Sequence, residues 1–191
     1  MKRTPTTKRI LGVVGSPRWE GNTHILVERI LDGAREGGAR CDLVLLSGLT
    51  IRECDGCHAC WKGKGCSKND DMIDLYQRLM DSDVVIFGTP IYWYGPTALM
   101  KAFLDRFVYF NAPERRDKIA GHGAVLAIPF EETDLETASP TIAMFEKSFE
   151  YLSMPLLDTI LAAGVGERGE ILSKTAILDK AKDLGGKLAV I

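Results

Sequence analysis

Short apolar segments alternate with longer amphipathic segments along nearly the whole chain, and this alternation limits the possible folds more than any other feature. The first unit is representative. The apolar run "RILGVVG" ends in glycine, and "THILVERILDGAREGG" then repeats apolar residues at helical spacing. Further apolar runs occur at "CDLVLLSG", "DVVIFGTP", "GAVLAIPF" and "LLDTILAAGV". Runs of this kind are typical of strands that are buried on both faces.

Alternating strands and helices predict a parallel sheet with helices on both faces. Five strands suit a flavodoxin-like, doubly wound α/β fold in which the strands lie in the order 2-1-3-4-5. The length suits one flavodoxin-like domain over residues 1–191, with a loose tail at 1–7 and a cysteine-rich loop at 52–69 after strand 2. Ligands of such sheets bind at the carboxyl ends of the strands, so the loops after strands 1, 3 and 4 are candidate sites.

The composition and net charge of the chain limit which classes of partner it can bind. An apolar fraction of 46% with 26% charged residues is typical of a soluble globular protein, and a net charge of -2 argues against nucleic acid. The sequence has no apolar run long enough to cross a bilayer, and its basic start lacks the apolar core of a signal peptide. We therefore expect a cytoplasmic protein that binds no membrane, whose cysteines serve metal or redox chemistry.

The loop after strand 1 reads "GSPRWEGNTH" and lacks both the dinucleotide fingerprint and the P-loop pattern. Two hydroxyls, an amide and a guanidinium lie there at the start of a helix, and they are suitable donors for a dianionic phosphate. These candidate phosphate ligands are Ser16, Arg18, Asn22 and Thr23. Alternatively, Asn22 or Thr23 only caps the helix. A single terminal phosphate on this kind of sheet indicates FMN.

The loop after strand 3, "TPIYWYGPTALMKAFLDR", combines backbone donors with aromatic side chains, as the edge of a flavin ring requires. The candidate ring-binding residues are Pro90, Ile91, Tyr92, Trp93, Tyr94 and Gly95. Alternatively, the three aromatic residues cover the core or a dimer interface. Pro96 is expected at the first position of the next helix.

Four cysteines lie within thirteen residues in the stretch "CDGCHACWKGKGC", with the spacing C-x2-C-x2-C-x5-C. Cys54, Cys57 and Cys60 have the spacing of the first three ligands in ferredoxin clusters, and Cys66 can supply the fourth. Zinc bound by four thiolates is the alternative, although structural zinc sites usually join two separated pairs. The spacing favours an iron-sulfur cluster over zinc. His58, Cys41, His24 and His122 are given no role in a site.

The loops "GSPRWEGNT" and "TPIYWYGPTALMKAFLDRF" resemble those of the NADPH-dependent FMN reductase family. With the cysteine motif, the chain is similar to the iron-sulfur flavoprotein branch of that family. The resemblance implies that Ser16, Arg18, Asn22 and Thr23 hold the FMN phosphate and that residues 90–95 meet the isoalloxazine ring. It also implies a 4Fe-4S cluster on the four cysteines and a homodimer or homotetramer. One departure is "PFEETDLET" after strand 4, where relatives often have a glycine-rich loop.

We therefore expect an FMN-dependent oxidoreductase in which a ferredoxin-like donor passes electrons through the cluster to FMN and on to a small acceptor. Four basic residues near the motif, Arg52, Lys62, Lys64 and Lys68, either dock an acidic donor or are ordinary solvated charges. One alternative is an NAD(P)H-dependent FMN or quinone reductase with the cysteines in a structural zinc or redox loop. Another is a flavin-binding module that signals redox state. No side chain is assigned as a catalytic acid or base, because the cofactors carry the chemistry.

Overall fold

The computed structural model describes residues 7–191, and a five-stranded parallel sheet forms its centre. Its strands are β1 (Arg9–Val14), β2 (Arg40–Leu45), β3 (Val84–Gly88), β6 (Gly123–Phe130) and β7 (Leu156–Ala163). Two short strands, β4 (Ile91–Tyr92) and β5 (Gly95–Pro96), pair as an antiparallel hairpin after β3. The order across the sheet is β2-β1-β3-β6-β7, which confirms the predicted order 2-1-3-4-5 of the five central strands.

Helices cover both faces of this sheet, and the two faces form two separate apolar cores. The helices are α1 (Asn22–Glu36), α2 (Met72–Met80), α3 (Ala98–Asp105), α4 (Pro113–Arg116), α5 (Ser139–Leu152) and α6 (Thr175–Leu188). Leu11 and Val13 of β1 belong to the core beneath α2, α3 and α5. Ile10 and Val14 belong to the core beneath α1 and α6, because successive side chains of a strand point to opposite faces.

The helices α1 and α6 pack closely through two glycines. A Cβ atom at Gly33 would overlap the carbonyl oxygen of Lys182, and a Cβ atom at Gly185 would overlap that of Ile30. Only glycine therefore allows the two backbones to approach this closely. The contact fixes the position of α1, whose N-terminus lies at the carboxyl end of β1.

The start of α3 differs from the prediction. Pro96 lies in β5 rather than in the helix, and α3 begins at Ala98. The hydroxyl of Thr97 accepts a hydrogen bond from the backbone N–H of Met100 at 3.1 Å, so Thr97 caps the helix. A side-chain oxygen at this position satisfies an N–H group that the first turn leaves unpaired. The helix also changes to a 3-10 helix at Arg106–Asn111.

Residues 52–69, which we call the cysteine-rich segment, lie between β2 and α2 and contain one short 3-10 helix, Ala59–Lys62. The predicted loose tail at residues 1–7 falls outside the described residues except for Thr7, which is exposed. Within residues 7–191, no helix is long and apolar enough to span a bilayer.

Candidate functional site

Four loops meet at the carboxyl edge of the sheet and line an open cleft. The loops follow β1, β3, β6 and β7. The residues that line the cleft are Ser16, Arg18, Asn22, Thr23, Pro90, Ile91, Tyr92, Pro129, Phe130, Glu131, Val165 and Gly166. All four candidate phosphate ligands and half of the candidate ring-binding residues therefore surround one cleft, although they come from distant parts of the sequence.

Two buried threonines join the loop after β1 to the loop after β3. The hydroxyl of Thr97 donates to the carbonyl oxygen of Gly15, and the hydroxyl of Thr89 accepts from the backbone N–H of Thr97 at 3.1 Å. A backbone hydrogen bond of 2.7 Å also runs from Gly15 to Gly88. Neither threonine was among the residues that the sequence patterns indicated. Their signal is a hydroxyl residue beside proline, as in "TP" after the buried β3 and "PT" before α3.

The N-terminus of α1 opens into the same cleft region. Gly21 is the N-cap residue, and within the described residues no side chain caps this helix end by a hydrogen bond. Neither Asn22 nor Thr23 therefore caps the helix, which was the alternative role for these residues. The first backbone N–H groups of a helix carry partial positive charge, so this end can attract a phosphate.

Ser16 and Thr23 are buried beside this helix end, whereas Arg18 is exposed. The backbone N–H of Arg18 donates to the Ser16 hydroxyl at 3.2 Å. The Arg18 guanidinium donates through Nη1 to the carbonyl oxygen of Gly166 at 2.8 Å. Other guanidinium N–H groups remain for a ligand, because arginine has five N–H donors.

Asn22 holds the loop after β7. Its Nδ2 donates to the carbonyl oxygens of Val165 at 3.2 Å and Glu167 at 2.8 Å, and its Oδ1 accepts from the backbone N–H of Ile171 at 3.1 Å. Both amide hydrogens and the amide oxygen are thus engaged. In this structure Asn22 positions a wall of the cleft, while its contact with a phosphate stays a prediction.

The loops after β6 and β7 form another wall of the cleft. The loop after the fourth central strand, β6, was an expected site without assigned residues, whereas the loop after β7 was not expected. The backbone N–H of Val165 donates to the carbonyl oxygen of Phe130 at 2.9 Å, which joins the two loops. The Glu170 carboxylate accepts from the N–H groups of Gly166 at 2.8 Å and Glu167 at 2.9 Å. The first three residues of "PFEETDLET", Pro129 to Glu131, line the cleft. Glu131 places a carboxylate there.

The β4–β5 hairpin carries the predicted ring-binding aromatic residues at its turn. Trp93 and Tyr94 both have positive φ values, 51° and 61°, and Trp93 is 97% exposed. The carbonyl oxygen of Tyr94 accepts a hydrogen bond of 3.0 Å from the Thr141 hydroxyl of α5. Tyr92 lines the cleft, whereas Trp93, Tyr94 and Gly95 lie outside its lining. The hairpin therefore extends from the cleft into solvent.

A second pocket contains all four motif cysteines. Its lining includes Cys54, Cys57, Cys60 and Cys66, together with Tyr76, Arg106 and Tyr109. All four are free thiols, of which Cys60 is buried and Cys57 is exposed. Burial raises the pKa of the Cys60 thiol, and the neighbouring Cys66 raises it further. Burial likewise raises the pKa of the Tyr76 hydroxyl well above its ordinary value.

The backbone around these cysteines bends sharply. Gly56, His58, Gly63 and Gly65 all have φ values between 54° and 74°, in the left-handed region. Glycine adopts this conformation without steric cost, whereas it is unusual for His58. The repeated left-handed turns let a short segment bring Cys54 and Cys66 to the same pocket, which the spacing alone could not establish.

A buried ion pair borders the pocket of the four cysteines, because its arginine, Arg106, is one of the lining residues. The side chains of Arg106 and Asp70 are each 1% exposed, and Arg106 Nη1 lies 2.6 Å from Asp70 Oδ2. Burial by itself raises the pKa of Asp70, but the hydrogen bonds from Arg106 and from two backbone N–H groups, together with the Arg106 charge, outweigh burial and hold the pKa below its usual value. Burial works against the Arg106 charge, yet the hydrogen bond to Asp70 and the negative charge of that carboxylate raise the pKa of Arg106 above the usual value. Both groups are therefore charged.

Four cysteine thiols in one pocket are a donor set for more than one metal group. Across residues 7–191, no three His, Cys, Asp or Glu side chains converge as a single metal ion requires. A zinc ion needs its sulfur ligands about 2.3 Å from one point. An iron-sulfur cubane instead bonds each cysteine to a different iron atom, so its ligands lie farther apart. The four cysteines of the pocket supply the thiolate donors that either group uses.

The match to known families agrees with this architecture. A family model described as NADPH-dependent FMN reductase matches residues 8–142. An iron-sulfur flavoprotein of Methanocaldococcus jannaschii is 32% identical over 122 residues, which cover 61% of each chain. An iron-sulfur flavoprotein of Archaeoglobus fulgidus is 33% identical over 120 residues, covering 62% of this chain but 54% of its own. The chain thus matches less than two thirds of the length of these relatives.

Two further comparisons extend over nearly the whole chain. A Bacillus subtilis protein, whose name describes an NAD(P)H-dependent FMN-containing oxidoreductase, is 26% identical over 182 residues, which are 92% of this chain and 96% of its own. The solved Trp repressor binding protein of B. subtilis has a TM-score of 0.71 at 24% identity, over 93% of this chain and 98% of its own, which shows a shared fold. The family model covers well over half of the sequence, and the chain belongs to the NADPH-dependent FMN reductase family.

Proposed function

We propose that this chain is an FMN-dependent oxidoreductase that also carries a 4Fe-4S cluster and transfers electrons from a ferredoxin-like protein to a small acceptor. The observation that carries the proposal is the presence of two different pockets. One is a cleft with an uncapped helix N-terminus, and the other is a pocket lined by four free cysteines. When bound, the cluster exchanges single electrons and FMN exchanges one or two, which links one-electron donors to two-electron acceptors.

In the proposed flavin site, the loop after β1 binds the phosphate. The backbone N–H groups at the start of α1 and the buried hydroxyls of Ser16 and Thr23 donate hydrogen bonds, and Arg18 adds positive charge. Pro90, Ile91 and Tyr92 lie against the ring from one side of the cleft. Asn22 contributes by holding the loop that closes the opposite side.

In the proposed cluster site, Cys54, Cys57, Cys60 and Cys66 are the four ligands. The left-handed turns at Gly56, His58, Gly63 and Gly65 let the backbone bend around the pocket. The conversion of thiols to thiolates requires that four protons leave when the metal binds, so loading should release acid.

The electron donor should dock on the basic part of this segment. Lys62 and Lys64 are exposed, so their charges are available to an acidic surface. Lys68 is instead paired with Asp55 at 2.7 Å, and the Arg52 guanidinium donates to the carbonyl oxygen of Asn69 at 2.9 Å. We therefore assign the docking role to Lys62 and Lys64. Docking of this kind should weaken as salt rises, because exposed charges are screened.

The deciding experiment is purification under strict exclusion of oxygen, followed by analysis of iron, sulfide, zinc and flavin together with visible and EPR spectra. We expect about four irons and one FMN per chain, and an EPR signal that develops on reduction. A protein that contains zinc and FMN but no iron would contradict the cluster half of the proposal. Extracted FAD, or no flavin, would contradict the FMN half.

A second candidate function is direct reduction by NAD(P)H, with the cysteine-rich segment as a structural loop. The specific observation in its favour is the B. subtilis relative, because the name of that protein includes NAD(P)H and the match covers 92% of this chain. Anaerobic mixing of the oxidised protein with NADPH or NADH separates the two functions. Rapid bleaching of the flavin by either nucleotide supports direct reduction, and bleaching only by a reduced ferredoxin supports the first function.

We also propose a homodimer or homotetramer, as the sequence resemblance implies. Light scattering on the purified protein tests this proposal, and a monomeric mass would contradict it.

A further inference from the structure

The most unusual side chain outside the flavin cleft is Arg106, a fully buried arginine at the start of the 3-10 helix that follows α3. Its Nη1 donates to the carbonyl oxygen of Arg52 at 2.8 Å, and both terminal nitrogens donate to Asp70. Its Nη2 also donates to Cys66 Sγ at 3.1 Å. One planar guanidinium thus contacts a carboxylate, a backbone carbonyl and a cysteine of the motif.

The position of Arg106 is fixed by groups outside the motif. Asp70 is itself held in place, because Oδ2 accepts from the backbone N–H of Arg52 at 3.0 Å and Oδ1 accepts from that of Met72 at 3.2 Å. The carbonyl oxygen of Arg106 accepts a hydrogen bond of 3.3 Å from the Tyr76 hydroxyl of α2. The folded core therefore fixes the guanidinium, and Cys66 lies where this fixed donor can reach its sulfur.

The other motif cysteines have different neighbours. The sulfur of Cys57 lies 3.1 Å from the Ser67 hydroxyl, which is uncharged. Near Cys60 lies Arg115, but its Nη1 donates at 2.9 Å to the carbonyl oxygen of that residue and not to the sulfur. Among the hydrogen bonds of residues 7–191, the contact from Arg106 to Cys66 is the one that brings a charged donor to a motif sulfur.

We propose that Arg106 is a positioning residue for the cluster, which holds Cys66 through its N–H···S hydrogen bond and raises the reduction potential of the cluster. This inference rests on the proposed function, because it assumes that the four cysteines hold a 4Fe-4S cluster.

The effect on the potential follows from charge. Reduction by one electron from the donor adds one negative charge to the cluster and its sulfur ligands. An N–H group that points at a ligand sulfur stabilises the more negative state more strongly, and hydrogen bonds to sulfur are a known determinant of cluster potentials. At distances beyond this contact, the Asp70 carboxylate cancels the positive charge of the guanidinium. The short N–H···S contact should therefore account for most of the effect of Arg106 on the reduction potential. Solvent screens such a buried contact only weakly.

The test is an EPR-monitored redox titration of the anaerobic, iron-loaded protein and three variants. Arg106→Gln removes the charge and the guanidinium, and Arg106→Lys keeps a charge but replaces the planar fork of N–H donors with a single ammonium nitrogen. Arg115→Gln is the matched control, because it removes a nearby arginine that donates to a backbone oxygen. Iron content and urea unfolding are measured for each variant.

We expect Arg106→Gln to lower the potential by at least a tenfold change in the reduction equilibrium, which is about 59 mV for a one-electron couple. Arg106→Lys should shift the potential in the same direction by less, and Arg115→Gln should leave it close to the wild-type value. Loss of iron from both folded Arg106 variants, with full iron in Arg115→Gln, would support the positioning role.

Two results would count against the proposals, and they are distinguishable. An unchanged potential in Arg106→Gln or, if that variant does not fold, in Arg106→Lys overturns the role of Arg106 and leaves the proposed function intact. A wild-type protein that binds no iron without oxygen overturns the cluster itself.

Discussion

The flavin cleft and the cysteine-rich segment lie in loops of the same fold, but they are built in opposite ways. The cleft is formed by loops that leave buried strands and are joined to one another by Thr89, Thr97 and Asn22, all of which are buried. The cysteine-rich segment has one short 3-10 helix and four residues in the left-handed region. Side-chain hydrogen bonds from Arg106 to Cys66 and from Trp61 to the carbonyl oxygen of Val108 tie it to the rest of the protein.

This difference indicates how each site becomes ordered. The core fixes the walls of the cleft, so FMN should bind a site that already exists. The cysteine-rich segment has little regular structure of its own, so the bound metal group should supply much of its order. Four predictions test this contrast, in order of decreasing effect.

The largest effect is expected for Cys57→Ser, which removes one proposed ligand of the cluster. We expect loss of nearly all iron, while FMN affinity stays within about twofold because the cleft is formed by other loops. Iron analysis and flavin titration measure the two quantities. Cys41→Ser is the control, since Cys41 lies in β2 outside the segment and should keep both cofactors. Loss of FMN together with iron would show that the two sites are not independent.

Metal removal should loosen the cysteine-rich segment selectively. After anaerobic chelation, we expect amide hydrogen exchange in residues 52–69 to accelerate about tenfold or more, because the segment opens without unfolding the core. The loops of the cleft should exchange at unchanged rates if FMN stays bound. Trypsin cleavage after Lys62 or Lys64 offers a second measurement. Equal protection of the segment with and without metal would mean that the protein alone orders it.

Removing one partner of the ion pair beneath the segment should destabilise the protein more than removing one partner of an exposed pair. Asp70→Ala leaves the buried Arg106 charge without its carboxylate, so we expect a loss of about 3 kcal/mol or more in the free energy of unfolding. Asp105→Ala removes the partner of Lys101 in an exposed pair and should cost at most about 0.5 kcal/mol. Urea unfolding compares them. Similar losses for both variants would mean that Arg106 finds another partner.

The smallest effects separate two residues of the cleft that have similar predicted roles. Asn22→Ala removes three hydrogen bonds to the loop after β7, so it should lower stability by about 1–3 kcal/mol and weaken FMN binding. Arg18→Ala removes an exposed side chain, so it should weaken FMN binding by roughly tenfold with little change in stability. Urea unfolding of the FMN-free protein and flavin titration give the two quantities. Unchanged stability in Asn22→Ala would argue against its role in holding the loop.

Much of the fold and part of the candidate site could be predicted from the sequence, because the signals are local. The apolar runs and the helical spacing indicated the parallel sheet, and the right-handed crossover rule limited the strand order. The rule that ligands bind at the carboxyl ends of strands then brought residues 16–23 and 90–92 to one cleft. The four cysteines could be found by spacing alone.

The remaining features depend on contacts between residues that are far apart in the sequence. In "AFLDRFVYF", Arg106 looks like a charge on a helix surface, and only the packed structure places it beside Asp70 and Cys66. Asn22 looked like a phosphate ligand or a cap, but its partners lie more than 140 residues away. Local periodicity specifies which elements form, because it is read within one or two turns of the chain. The partner of a buried polar group is decided only when distant elements pack and that group must find a hydrogen bond away from water.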